Sequence, residues 1–300
     1  MRTDNEYRAL AETRLKELLS PMPEAFENGK MPSLLNEAMA YSVNAGGKRL
    51  RPCLLLAACE MLGGEIEDAL DFACAMEMIH TYPLIHDDLP GMDNDVLRRG
   101  RPTNHVVFGV GQAILAGDGL LSYAFETMLS KAVNAPEVKQ KSMLKAMKAI
   151  ANACGVTGMV AGQCADLYAE KRTDTDEKLL TYIHEGKTMC MIRGSILAGA
   201  ILAGADEKQL TALSRFGYAF GILFQVTDDI LDVTADAEFG KSKGKDAEEG
   251  KLTAVSIFGL EGAKEKAKQL MEDAMDALSA FGDEADYFRG RLTQMYVRTH

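Results

Sequence analysis

Hydrophobic side chains recur every three to four residues through most of this chain, the spacing that lays an apolar stripe along an α-helix. The pattern predicts helices over 7–19, 33–43, 50–62, 67–86, 111–133, 137–153, 155–170, 176–203, 206–233, 261–280 and 284–298. No stretch sustains the alternation of a half-buried strand, so no sheet is expected. Between the periodic stretches stand "SPMPE" (20–24), "NAGGKRLRP" (44–52), "LGGE" (62–65), "RRGRPTN" (98–104), "NAPE" (134–137), "AGADE" (203–207) and "GKSKGKDAEEGK" (240–251). Their Gly, Pro, Asp and Asn are residues that stop or start helices. Three helices, 67–86, 188–204 and 208–231, are apolar nearly all round, as in helices enclosed on every side. With no linker, low-complexity block or repeat, the expectation is one all-α domain over 1–300, central helices wrapped by outer ones.

Composition adds bounds. A chain of 300 residues, 47% hydrophobic and 26% charged, can bury a sizeable core. A net charge of −11 argues against nucleic acid or an anionic membrane as the general partner, but not against a small anion held by local cations. The N-terminal "MRTDNEYRALAETRLKELL" is acidic and has no apolar signal core, so no signal peptide is expected. The longest uncharged run, 149–165, is too short and too polar to suggest a membrane span. Six cysteines without a CxxC pair read as buried, reduced thiols of a cytoplasmic protein.

Two acidic clusters change the picture. In "LIHDDLPGMDNDVLRRGRPTNH" (84–105), Asp87, Asp88 and Asp93 follow an apolar helix. Asp87 and Asp93 are six apart, which a straight helix puts on different faces, but Pro90 and Gly91 can turn the chain and swing Asp93 back. In "FQVTDDILDV" (224–233), Asp228 and Asp232 are four apart and share one helical face, with Asp229 beside them. Carboxylates flanked by Phe224, Val226, Ile230 and Leu231 are costly unless something positive compensates them. Hard oxygen donors without clustered His or Cys select Mg²⁺ or Mn²⁺ rather than zinc, and Mg²⁺ usually completes its shell with water and substrate phosphate. Cations suited to such a phosphate stand in "GGKRLRP" (Lys48, Arg49, Arg51), "LRRGRP" (Arg98, Arg99), "EGKT" (Lys187, ahead of Thr188) and the loop with Lys241 and Lys251. "EMIH" (77–80) matches the Glu-x-x-His of di-iron bundles, but it has no second copy.

Taken in order and spacing, "GGKRLRP", "HDDLPGMD", "LRRGRPTNH", "GKT" and "FQVTDDILD" resemble the trans-prenyltransferases, the short-chain polyprenyl diphosphate synthases. The likeness runs from about residue 30 to the C-terminus and is nearest to bacterial farnesyl diphosphate synthases, whose first motif is DDxxxxD. The resemblance implies an isoprenoid-synthase-type helical bundle around a deep central cavity, a cytoplasmic homodimer, and Mg²⁺, three ions per active site, with Mn²⁺ as a substitute. It implies that Asp87, Asp88, Asp93, Asp228 and Asp232 hold the metal, and that Arg98, Lys187 and Lys241 grip an allylic diphosphate. By the same likeness Lys48, Arg51, Arg99 and His80 form the pocket for isopentenyl diphosphate, Lys251 lies near the cavity mouth, and the oxygens of Thr188 and Gln225 face a developing carbocation. His86 and His105 are expected to be structural.

Product length is read from Tyr82, five residues before Asp87, where an aromatic floor restricts farnesyl synthases. The expected reaction joins isopentenyl diphosphate head-to-tail to dimethylallyl or geranyl diphosphate, giving farnesyl diphosphate. The alternatives are a geranylgeranyl diphosphate synthase, a terpene cyclase, disfavoured by the complete second Asp motif, and a non-catalytic partner subunit, disfavoured by both motifs being intact. Two departures stand out: Pro83 replaces a small Ser common in relatives, and Val96 replaces an acidic residue.

Overall fold

The computed structural model describes residues 1–20, 34–170, 172, 176–234 and 251–298. Helices α1 (Asp4–Leu18), α2 (Leu34–Val43), α3 (Leu50–Met61) and α4 (Ile66–Asp87) precede a two-residue hairpin, β1 (Leu97–Arg98) and β2 (Arg101–Pro102). There follow α5 (Asn104–Phe108), α6 (Val110–Asn134), α7 (Glu137–Cys154), α8 (Met159–Ala169), α9 (Glu177–His184) and a π-helical turn, Glu185–Met189. The chain closes with α10 (Cys190–Leu202), α11 (Glu207–Thr234), α12 (Ala254–Ala277) and α13 (Asp286–Val297).

The expected all-α architecture is present. Helix α4 packs on α3 and α6, α10 on α3, α7 and α11, and α11 on α12. One continuous apolar core runs from Tyr7 in α1 to Met295 in α13. Helices α4 and α10 are enclosed as their apolar circumference predicts; only Glu67 of α4 is exposed. Helix α11 corrects the expectation in its first half, where Glu207, Lys208, Thr211, Arg215 and Tyr218 form an exposed stripe. From Ala219 to Val233 no residue of that helix is exposed, so the stretch carrying the aspartates is enclosed.

Four local differences separate pattern from structure. The single helix expected over 176–203 is broken by the π turn. The expected 155–170 helix starts only at Met159. Helix α12 begins at Ala254, earlier than expected, because Thr253 and Ser256 cap each other's backbone, and it bends at Gly259 (φ 68°). The hairpin and α5 lie in a segment read as a loop. In the hairpin, Arg99 (φ 53°) and Gly100 (φ 73°) are both left-handed, as a two-residue turn between twisted strands requires. Pro83 sits inside α4, and the helix continues through it to Asp87.

Candidate active site

Helix α4 ends on the first acidic cluster. After Asp87 the chain turns through Pro90–Gly91, and the Asp93 amide donates to the Asp87 carbonyl at 2.8 Å, so Asp93 does return beside Asp87. Burial, with Asp93 adding to it, pushes the Asp87 carboxyl up to about 6 against the opposing pull of Lys187. The Gln163 amide donates to Asp87 Oδ1 at 3.0 Å. Asp88 points elsewhere: it is buried and bound by Arg98, whose Nη2 lies 2.7 Å and Nε 2.8 Å from Oδ1. Two residues expected to serve metal and diphosphate separately are thus engaged with each other.

The second cluster divides in the same way. Asp229 faces inward, accepting from Ala254 N at 2.7 Å and Gln225 Nε2 at 3.0 Å, with His184 Nε2 at 3.4 Å. It anchors the start of α12 to α11. Asp228 lies on the next face, 3.7 Å from the Arg298 guanidinium, and Asp232 follows one turn on. Asp229 is thus consumed by the fold, whereas Asp228 and Asp232 take no part in that anchor.

Lys187 and Thr188 sit on the π turn, a widened turn that often marks functional sites. The turn coincides with a close crossing of α8: a methyl built on Gly162 would overlap Lys187 N, and one on Gly186 would lie 2.6 Å from Gly162 Cα. The crossing brings Lys187 Nζ to Asp166 Oδ2 at 2.5 Å. Thr188 Oγ1 donates to Gln225 Oε1 at 2.9 Å, tying the turn to α11. A small cavity of about 120 Å³ beside it is lined by Asp166, His184, Lys187, Gln225, Asp229 and Lys251. Lys241 lies outside the described residues.

A larger cavity, about 640 Å³, holds the other cations. Lys48, Arg51, His80 and Arg99 line it together with Arg8, Arg291 and Arg298. Burial, helped by Arg51 and Arg99, drives His80 well below the usual imidazole range, so its ring is neutral. Its Nε2 can then accept from Arg51 Nη1 at 3.3 Å. Arg99 reaches across to the Gly46 carbonyl, clasping the hairpin to the glycine loop. Arg49 corrects the reading of "GGKRLRP" as three equivalent cations: it is turned inward onto Glu77 at 2.7 Å, while Lys48 and Arg51 line the cavity.

Both acid-bearing helices form walls of this cavity, α4 through Glu77 and His80 and α11 through Phe224. Asp87 is seven residues beyond His80 and Asp228 four beyond Phe224, which returns each to the same helical face. Lys187 acts electrostatically on Asp87, and Asp93, Asp166, Lys187 and Lys251 all act on Glu170. Lys187 thus links the two sides: it acts on Asp87 and lines the smaller cavity with Asp229. Among the described residues no three carboxylate, imidazole or thiol groups close on a point that could hold an ion unaided. An all-oxygen, acid-rich donor set of that openness fits Mg²⁺ shared with a phosphate ligand.

Tyr82 is 8% exposed and packs edge-on against His86, ring centroids 5.9 Å apart. His86 Nε2 contacts the Ile114 carbonyl at 3.0 Å and His105 Nδ1 the Thr103 hydroxyl at 3.1 Å, structural roles for both. The sequence reading missed Gln163, Asp166, Glu77, Arg8, Arg291 and Arg298. The available signal for Asp166 was a lone acid in the apolar run "AGQCADLY", three residues after Gln163.

A helical bundle with two aspartate clusters and an arginine-lined cavity is the architecture of the isoprenoid synthases. The chain's residues 32–287 match the family model described as polyprenyl synthetase. A geranylgeranyl diphosphate synthase of Cyanophora paradoxa is 44% identical over 85% of this chain and 84% of its own length. A heterodimeric geranylgeranyl pyrophosphate synthase large subunit of Arabidopsis thaliana, chloroplastic, is 48% identical over 84% of this chain and 69% of its own. Among solved structures, an FPP/GFPP synthase from Zymomonas mobilis superposes with a TM-score of 0.83 at 35% identity, covering 98% of this chain and all of that one (100%). A geranyltransferase from Legionella pneumophila gives 0.85 at 30% identity, covering 99% and 96%. The chain belongs to the polyprenyl synthetase family; it is a short-chain trans-prenyltransferase.

Proposed function

We propose that this prenyltransferase condenses isopentenyl diphosphate with dimethylallyl and then geranyl diphosphate to make farnesyl diphosphate. The observation that carries the reading is the pair of helices, α4 and α11, that line one cationic cavity and each bear aspartates one or two turns beyond a lining residue. Asp87, Asp88, Asp93, Asp228 and Asp232 would hold Mg²⁺. When bound, the ions supply Lewis-acid neutralisation of charge on a diphosphate leaving group.

The chain's own groups do the rest. Lys187 and Arg98, now paired with Asp166 and Asp88, would hold the allylic diphosphate oxygens together with Lys241, with Lys251 nearer the mouth. The allylic C1–O bond breaks, and the diphosphate leaves with the electron pair. The Thr188 hydroxyl proton is committed to Gln225, so its lone pairs, with the amide oxygen of Gln225, face the allylic cation. Lys48, Arg51, His80 and Arg99 hold isopentenyl diphosphate with its double bond toward C1, and proximity replaces a bimolecular encounter. The new C–C bond leaves a cation that loses a proton to the departed diphosphate, so no protein base is required.

Tyr82 supports a C15 product: its ring is buried about 7.5 Å along α4 from Asp87, and in this reading it is the floor that stops the growing chain. A C20 product is the second reading, favoured by the geranylgeranyl names of the relatives. Incubation with isopentenyl diphosphate, each allylic primer and Mg²⁺, followed by phosphatase and chromatography, separates them. A main C15 alcohol is expected; a dominant C20 alcohol favours the second reading, and no elongation defeats both. The exposed Val106, Val107, Val110, Ile114 and Leu115 support a homodimer through α5 and α6, and the protein is read as cytoplasmic.

A further inference from the structure

The Glu-x-x-His of "EMIH" supplies His80 to the diphosphate pocket but leaves Glu77 without a role. Glu77 is 2% exposed, and among the described residues it is the single carboxylate lining a cavity otherwise rich in arginine. By Coulomb's law a carboxylate in that wall opposes an anionic ligand. It helps binding only if what it organises outweighs the repulsion. Two arrangements answer to that. Its Oε1 holds Arg49 Nη1 at 2.7 Å, while Arg49 Nη2 donates to the Val43 carbonyl at 2.6 Å. Arg49 is left-handed (φ 49°) and 4% exposed, so the pair fixes the junction between the loop carrying Lys48 and the first turn of α3, which carries Arg51. The second arrangement is a complementarity: Glu77 Oε2 is a buried acceptor and Arg51 Nε a buried donor, each with no hydrogen-bond partner in the described structure, in the same cavity.

We infer that Glu77 is a positioning residue of the homoallylic diphosphate site, fixing the loop through Arg49 and accepting from Arg51 Nε, directly or through one water, when the diphosphate binds. Arg51 then presents its remaining N–H groups as a fork to the ligand. The charge of Glu77 also acts on Arg51 and Arg99, favouring their charged forms against burial. The inference rests on the proposed isopentenyl diphosphate pocket.

The sign of one substitution tests it. Glu77→Gln keeps the shape and removes the charge. A bystander carboxylate would, on removal, leave isopentenyl diphosphate binding unchanged or tighter. A positioning carboxylate predicts KM for isopentenyl diphosphate raised about 10- to 50-fold, with allylic KM within about twofold and kcat within about threefold. A parallel rise in both KM values would mark a general structural role and overturn the inference. Should Glu77→Gln fail to fold with Arg49 left unpaired, the R49M/E77M variant replaces the buried pair by apolar side chains, a change proteins often tolerate. The isopentenyl diphosphate defect must persist there, because Arg51 still lacks its acceptor; wild-type KM would overturn the inference. Calorimetric titration of isopentenyl diphosphate into wild type and Glu77→Gln needs no turnover. Binding lost in the variant while the wild type binds but elongates nothing would keep the role of Glu77 and sink the proposed reaction. Equal binding by both, or binding by neither, would sink the role.

Discussion

Asp87 carries a charge conflict that the free protein must tolerate. Its carboxyl is pushed up to about 6 in the fold, chiefly by burial and then by Asp93, against an ordinary 3.8. Between those values the folded state binds more proton than the unfolded state, so stability falls as pH rises through that window. Above it the ionised group costs about 1–2 kcal/mol, after allowance for its partial exposure. Asp87→Asn therefore melts higher than wild type at pH 8 without metal, and the gap narrows toward pH 5. The same change lowers kcat by about 100-fold or more, as removal of a transition-state charge ligand does. Thermal melts across pH, with turnover at saturating Mg²⁺, check both. Cysteine gives a second reading at this scale. Burial pushes Cys53 and Cys59 up to about 12, whereas Cys164 is exposed. Alkylation at pH 8 with mass mapping should label Cys164 and spare Cys53 and Cys59, since the thiolate is the nucleophile. The return of Asp93 to Asp87 and the shared helix of Asp228 and Asp232 could be read from the sequence because Pro90–Gly91 and a four-residue spacing are local signals. Which of Lys48, Arg49 and Arg51 turns inward was not legible, since Glu77 that captures Arg49 lies 28 residues away.

At the scale of elements, helices were legible wherever an apolar stripe faces a neighbour, because local periodicity and burial coincide. The breaks were not, since they are set by other parts of the chain. The π turn at Glu185–Met189 accompanies the backbone crossing at Gly162 and Gly186, and nothing in "HEGKTM" reports that crossing. Small residues on both sides let α8 approach closely enough for Asp166 to hold Lys187. Gly162→Ala should force the two segments apart. The expected loss is about 2–3 kcal/mol in denaturant unfolding, with a rise in allylic KM as Lys187 shifts. A variant that unfolds and turns over like wild type would show the crossing to be slack. The hairpin follows the same logic: Arg99 is held left-handed by its turn and by its clasp on Gly46, not by any preference of arginine.

Over the whole molecule, charge and apolar surface are unevenly placed. A net −11 chain gathers Arg8, Lys48, Arg49, Arg51, Arg99, Arg291 and Arg298 around one cavity, so its local field opposes the global one. The total charge argues against large polyanions as general partners yet could not reveal a pocket assembled from α1, α3, α4 and α13. Arg8 of α1 and Arg291 of α13 meet there because Asp4 accepts from Tyr287 at 2.6 Å and Arg291 at 2.8 Å. Among the described residues no helix is long and apolar enough to cross a membrane. Val106, Val107, Val110, Ile114 and Leu115 lie at the α5–α6 junction, each at least 40% exposed. A second copy of the chain covering this face would remove those groups from water, at roughly 25 cal/mol per Å² of apolar area. Replacing Ile114 and Leu115 with Glu puts like charges opposite each other across a two-fold contact, which disfavours association while costing little in an exposed monomer helix. Light scattering on the eluting peak should give twice the 32.6 kDa chain mass for wild type and the single mass for the double variant. A wild-type monomer would leave the patch without this partner, and an undisturbed dimer in the variant would move the contact to another face.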